Sequence, residues 1–152
     1  PTLIVEAGRA LVDDAGSLIA TVVANKRLPD GRQALVVDAG VNSLFTAFWY
    51  RHEVRPAVER GGRPEATAIF GPLCMQIDVI REQVLLPPLR PGDRLVIRRV
   101  GAYNVTQWMQ FITLRPAVVL IDEGRVGLIR EAETMDDVIS RERLPGEGPD
   151  GS

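Results

Sequence analysis

The sequence predicts a mainly β domain, a barrel or sandwich with one or two short helices. Many short apolar runs rich in β-branched residues are separated by Gly- and Pro-containing turns, the pattern of packed or closed sheets. The 152 residues suit one domain with enough chain for a real core, and no internal repeat breaks it up.

Taken in order, Thr2-Leu3-Ile4-Val5 is a continuous apolar run that reads as a strand buried on both faces, stopped by Gly8. Residues 17–25 mix apolar and small residues, with Thr and Val favouring strand over helix. Pro29-Asp30-Gly31 is a turn that separates this strand from residues 33–38, so the two predict a hairpin. Residues 41–50 are apolar and aromatic without clean alternation, and residues 59–65 read as a surface loop. Residues 66–70 form a strand that ends in Gly71-Pro72. Pro87-Pro88 and Pro91-Gly92-Asp93 punctuate a loop before a strand over residues 94–100. Residues 105–111 suit one helical turn or two. Residues 117–121 and 126–129 read as strands joined by the acidic turn Asp122-Glu123-Gly124. Thr134 with Asp137 three residues on resembles a capping box and predicts a short helix over residues 135–140. The Gly-, Pro- and acid-rich residues 145–152 read as a loose tail.

Composition excludes several functions. The formal net charge of −2 offers no electrostatic footprint for nucleic acid. A single cysteine excludes an internal disulfide, and one histidine with one cysteine argues against a zinc site, so no metal is expected. No apolar run approaches a membrane span and no basic-apolar leader opens the chain, which predicts a cytoplasmic protein with no membrane partner. The chain opens without methionine, inside an apolar strand pattern, and reads as a piece of a longer protein.

The richest segment is Gly71-Pro72-Leu73-Cys74-Met75-Gln76-Ile77-Asp78, followed by Gly101-Ala102-Tyr103. A lone cysteine there is either a small buried hydrophobe or a reactive acid or nucleophile on a loop. Its companions are ordered: Glu6-Ala7-Gly8-Arg9, then Val37-Asp38-Ala39-Gly40, then the cysteine segment, then Gly101-Ala102-Tyr103, then the run from Arg115 to Asp122. In that order, from about Val5 to about Ile139, the chain resembles the C-terminal part of the pyridoxal-phosphate-dependent decarboxylases of the alanine-racemase fold type, the group of the diaminopimelate and ornithine decarboxylases.

The resemblance implies a Greek-key-like β-barrel that follows a TIM barrel. Residues 1–12 would be the remnant of the last TIM-barrel strand with its loop, and residues 13–144 the β-barrel domain. It implies pyridoxal 5'-phosphate as cofactor, with Glu6 paired to the pyridine nitrogen and Gly8, Arg9 and Tyr103 at the phosphate. Glycine admits close backbone approach and arginine offers a planar fork to phosphate oxygens. It implies that Cys74 donates the proton that follows loss of carbon dioxide, and does so across a homodimer interface in the partner's site. Asp78 matches a carboxylate of the same loop that orients substrate or holds the loop, a turn-capping role being the alternative. Tyr50 matches a substrate-side tyrosine.

Three residues depart from the family pattern, the first without touching the chemistry and the other two bearing on the substrate. Ala7 replaces a proline, which relaxes a turn. Met75 replaces the glutamate that diaminopimelate decarboxylases use on the substrate amine. Thr46 stands where those enzymes carry an arginine for the distal carboxylate. The expected pocket is therefore more apolar, and an amino acid other than diaminopimelate is expected. The only lysine, Lys26, matches no Schiff-base position, so this chain alone is expected to be inactive. The competing reading is a non-enzymatic β-domain that serves for dimerisation or regulation.

Overall fold

The computed structural model describes residues 1–143. The chain divides into two compact units, Pro1–Phe111 and Ile112–Ser152. In the first unit, six strands form one sheet. They are β1 (Ser17–Arg27), β2 (Gln33–Val37), β3 (Val54–Pro56), β4 (Glu65–Phe70), β5 (Val79–Leu86) and β6 (Arg94–Arg98). Their order is β3-β6-β1-β2-β4-β5. The end strands β3 and β5 approach each other, so the sheet curls into a nearly closed barrel, and only short helical turns accompany it. The fold class expected from the sequence is the one observed.

β1 explains the curl. Its residues 17–21 pair with β6, and residues 22–27 pair with β2 across a bulge between Val22 and Ala24. One strand thus serves both halves of the sheet, and the bulge bends it. The Pro29-Asp30-Gly31 turn closes the β1–β2 hairpin, with Gly31 at φ +85°, a conformation glycine adopts without strain. β2 then runs parallel to β4, which requires the crossover that carries β3 to the far edge. Ala20, Val22, Leu35, Val37, Ile69, Ile80, Leu95 and Ile97 fill the interior. Gln33, buried among them, is satisfied: it donates to Thr67 Oγ1 at 2.9 Å and accepts from the Leu89 amide at 3.1 Å.

Three elements differ from expectation. Residues 2–5 are not a strand; they are irregular and exposed, because no neighbouring strand among the described residues takes their backbone groups. β5 and β3 are strands that the residue pattern does not announce. The middle of β5, Arg81-Glu82-Gln83, carries poor strand formers, and pairing with β4 overrides them. Residues 41–50 resolve into turns and one 3-10 turn, Phe45–Phe48. A four-residue helix α1 (Arg9–Val12) and a 3-10 turn (Asp13–Ala15) follow Gly8.

In the second unit, β7 (Val118–Asp122) and β8 (Arg125–Arg130) form a hairpin around Glu123-Gly124, and α2 (Met135–Ile139) follows. The capping box is present: the Asp137 amide donates to Thr134 Oγ1, and the Thr134 amide donates to Asp137 at 2.7 Å. The tail expected at residues 145–152 lies outside the described residues. Among the described residues no helix is long and apolar enough to cross a membrane.

Candidate functional site

The Gly101-Ala102-Tyr103 segment lies against the start of the chain because both contain glycine where backbones meet. A Cβ on Gly101 would fall 1.8 Å from the Val12 carbonyl oxygen, and one on Gly16 would fall 2.5 Å from the Gly101 nitrogen. The Gly101 amide donates to Asp13 O and the Val100 amide to Gly16 O, each at 3.1 Å. This contact sets Tyr103 beside Gly8: the Tyr103 hydroxyl is 3.7 Å from where a Gly8 Cβ would sit. Tyr103 itself holds φ +66°, unusual for a residue with a side chain, and is half exposed.

Arg9 joins them. Its guanidinium carbon lies 3.7 Å from the centroid of the Tyr50 ring, a cation–π contact, and Nη2 pairs with Asp13 at 2.9 Å. The hydrogen bond that Arg9 donates to Asp13 raises the Arg9 pKa, opposed by desolvation. Its Nε is buried and has no hydrogen-bond partner among the described residues. Gly8, Arg9, Tyr50 and Tyr103 are therefore brought together, as a surface with a fixed cation, a hydroxyl, an unused N–H and no Cβ to block approach. These are the properties a phosphate group requires, so the residues present fit one. Glu6 lies two residues earlier in the exposed irregular segment, outside this contact set.

Cys74 is carried on a different loop, between β4 and β5. It is a free, exposed thiol, so the buried-hydrophobe alternative does not describe it. Asp78 shapes the loop. It is 3% exposed, with Oδ1 accepting from the Val41 amide at 2.8 Å and Oδ2 from the Leu73 amide at 2.7 Å. The Gly71 amide donates to the Asp78 carbonyl at 3.0 Å. Glycines crowd the carboxylate: a Cβ on Gly40 or on Gly71 would come within 2.6 or 2.2 Å of its oxygens. Asp78 thus ties the Val37-Asp38-Ala39-Gly40 segment to the cysteine loop. An open groove of about 720 Å3 runs beside it, lined in part by Phe48, Trp49, Tyr50, Gln76 and Ile77.

Thr46 is not placed as its match to a substrate-binding arginine implies. It is buried, because the 3-10 turn Phe45–Phe48 directs it inward. Its Oγ1 lies 2.8 Å from His52 Nε2 and 2.8 Å from Asn104 Oδ1. His52 is buried too, with Nδ1 at 3.2 Å from the Arg98 carbonyl. Burial lowers its pKa, opposed by its backbone hydrogen bonds. The sequence pattern speaks of His52 only as an improbable metal ligand and does not single out Asn104 or Asp13. The available signal was a lone threonine inside the aromatic run Phe45–Phe48, a polar group that had to find a partner.

Comparison with known proteins bears on what this surface serves. The family model "Pyridoxal-dependent decarboxylase, C-terminal sheet domain" matches residues 10–101. A diaminopimelate decarboxylase of Helicobacter pylori is 33% identical over 155 aligned residues, covering 99% of this chain and 37% of the relative. One from Bacillus subtilis is 32% identical, covering 91% of this chain and 33% of the relative. Among solved structures, diaminopimelate decarboxylase from M. jannaschii in complex with L-lysine superposes with a TM-score of 0.86 at 34% identity, over 95% of this chain and 34% of that one. Lysine/ornithine decarboxylase from Vibrio vulnificus, complexed with cadaverine, gives 0.63 at 28% identity, over 68% of this chain and 29% of that one. The chain spans about a third of the length of these relatives.

Proposed function

The chain belongs to the family of C-terminal sheet domains of pyridoxal-dependent decarboxylases, and from that premise we propose that it serves a pyridoxal-phosphate-dependent amino-acid carboxy-lyase as the domain that completes its active site. The observation that carries this reading is the convergence of Gly8, Arg9 and Tyr103, with the Arg9 Nε left for a further acceptor.

When bound, pyridoxal phosphate supplies the electron sink that decarboxylation needs. In this reading Gly8, Arg9 and Tyr103 bind the phosphate, and Asp13 and the Tyr50 ring hold the Arg9 fork in place. Glu6 would pair with the pyridine nitrogen and hold its proton. Cys74 delivers the proton that replaces the departing carbon dioxide, in the active site of the partner subunit of a homodimer. Asp78 holds the cysteine loop, since both its oxygens are committed to backbone amides. Tyr50 meets Arg9 on one side and lines the groove beside the cysteine loop on the other, which supports a substrate-side role for it. The Schiff-base lysine lies on a part of the protein outside these residues; Lys26 sits exposed on β1, and the chain alone is inactive.

The substrate is an amino acid whose distal end is less polar than that of diaminopimelate. Met75 offers a thioether where an amine-binding carboxylate is needed, and the groove beside its loop is lined by Phe48, Trp49 and Ile77.

The test is made on the full-length protein. It should take up pyridoxal phosphate with a visible absorbance band and release carbon dioxide from at least one amino acid, with diaminopimelate turned over poorly and improved by Met75→Glu. Neither cofactor uptake nor carbon dioxide from any amino acid would favour the regulatory module. Efficient turnover of diaminopimelate by the unmodified protein would overturn the substrate assignment.

A further inference from the structure

We infer that Thr46 and Asn104 form a latch that presents the Tyr103 hydroxyl to the phosphate, as positioning residues that touch neither cofactor nor substrate. The inference rests on the reading of Gly8, Arg9 and Tyr103 as the phosphate-binding surface.

Tyr103 sits at φ +66°, in the left-handed region, which is strained for a residue with a Cβ. Such a conformation persists only where its surroundings over-determine it. Asn104, the next residue, is 3% exposed, and its amide group is fully used. Nδ2 donates to the Val100 carbonyl at 3.0 Å and to the Ala102 carbonyl at 3.2 Å, drawing the loop closed around Gly101. Oδ1 accepts from the Thr46 hydroxyl at 2.8 Å and from the Thr46 amide at 3.3 Å. With its proton given to Asn104, Thr46 Oγ1 accepts from His52 Nε2 on its other side, and His52 Nδ1 lies 3.2 Å from the Arg98 carbonyl at the end of β6, a contact that becomes a hydrogen bond only in the cation. The chain of contacts therefore runs from β6 through His52 and Thr46 to Asn104 and the loop that bears Tyr103.

Two neighbours of Tyr103 are fixed by the same network. His52 packs edge-on against Tyr50, with centroids 6.5 Å apart, and Tyr50 carries Arg9 on its face. The cation and the hydroxyl that would share one phosphate are thus referred to a single buried group of three side chains. A hydrogen bond to a charged acceptor depends steeply on direction, so a loop released at position 104 would lose the Tyr103 contact before it lost the fold.

The discriminating measurement is the affinity of the full-length protein for pyridoxal phosphate against pyridoxal, which lacks the phosphate. Tyr103→Phe should weaken pyridoxal phosphate about tenfold, the worth of one hydrogen bond to a charged group, and leave pyridoxal within about twofold. Thr46→Val, nearly isosteric, should do the same, and Thr46→Ser, which keeps the hydroxyl, should restore affinity. The double variant Thr46→Val with Tyr103→Phe should be no weaker than Tyr103→Phe alone, because the latch acts through that hydroxyl. Asn104→Ser, too short to span both partners, should reproduce the selective loss if Thr46→Val fails to fold. Equal losses for both ligands, or additive losses in the double variant, would make the pair merely structural and overturn the latch. If Tyr103→Phe weakens pyridoxal phosphate and neither Thr46→Val nor Asn104→Ser does, the latch alone falls. If the unmodified protein binds neither ligand, or Tyr103→Phe changes nothing, the phosphate surface itself falls and takes the latch with it.

Discussion

Asp78 and His52 carry the sharpest consequences for single residues. The Asp78 carboxylate satisfies the amides of Val41 and Leu73 in a space that only glycine at positions 40 and 71 leaves open. Each buried amide left without an acceptor costs about 1–3 kcal/mol. Asp78→Ala is therefore expected to lower the free energy of unfolding by at least about 2 kcal/mol, read from denaturant melts. A change below about 0.5 kcal/mol, the range of ordinary surface substitutions, would contradict the role of Asp78 as a tie between loops. His52 gives a pH dependence whose sign follows from burial. Its folded pKa is lowered, so folding favours the neutral ring. That contribution is fully present above the unfolded pKa, about 6.5, and is lost as pH falls through this value toward the lower folded one. Unfolding midpoints measured from pH 8 to pH 5 should fall at the acid end, and His52→Gln should flatten that part of the curve. A midpoint that rises on acidification would mean the buried ring favours its cation.

At the level of elements, the two hairpins have different causes. β1 and β2 are joined by a turn that the residues announce, and the core face of β1 follows from Ala20 and Val22. β7 and β8 are announced equally well, yet Leu120, Ile121, Val126, Leu128 and Ile129 remain exposed. Strand formation there rests on backbone pairing and turn chemistry, with little burial. α2 is also short and exposed, and five residues are too few to hold a helix by propensity. Its capping box supplies a large share of what keeps it formed. Thr134→Ala should cost about 1 kcal/mol locally, seen as faster amide hydrogen exchange over Met135–Ile139 with exchange in β1 and β6 unchanged. Slowed or unaltered exchange in α2 would show that something other than the cap maintains it.

For the whole protein, the prediction that weighs most concerns Cys74. The thiol is exposed on a loop held by Asp78, so Cys74→Ala should leave stability within about 0.5 kcal/mol. In the full-length protein it should still dimerise and bind cofactor, turn over slowly, and return more product protonated at the wrong atom. If the thiol serves the partner's site, mixing Cys74→Ala subunits with subunits lacking the Schiff-base lysine should restore part of the activity through one intact hybrid site. An unfolded variant whose remaining folded fraction is fully active would assign Cys74 to structure. Leu3, Ile4 and Val5, and Leu120, Ile121, Val126, Leu128 and Ile129 of the β7–β8 hairpin, are exposed apolar side chains that are not part of the barrel core.

The mainly β class, β1, β2, β4, β6, the final hairpin and the capped helix were legible because each rests on local chemistry: β-branched runs, Gly and Pro turns, and a Thr three residues before an Asp. The companions Gly8, Arg9 and Tyr103 were legible as a motif, and so were Cys74 and Asp78. β3 and β5 were not, because their residues are poor or ambiguous strand formers that become strands by pairing with β6 and β4. Nor was the burial of Thr46, which depends on a 3-10 turn and on two partners, one 6 residues away and the other 58. Local sequence determines which segments extend, turn and cap, since those energies are paid within a few residues. Only the tertiary structure decides that Asp78 faces inward between two glycines, or that Arg9 lies on Tyr50 beside Tyr103, because those contacts form only when the barrel brings distant segments to one place.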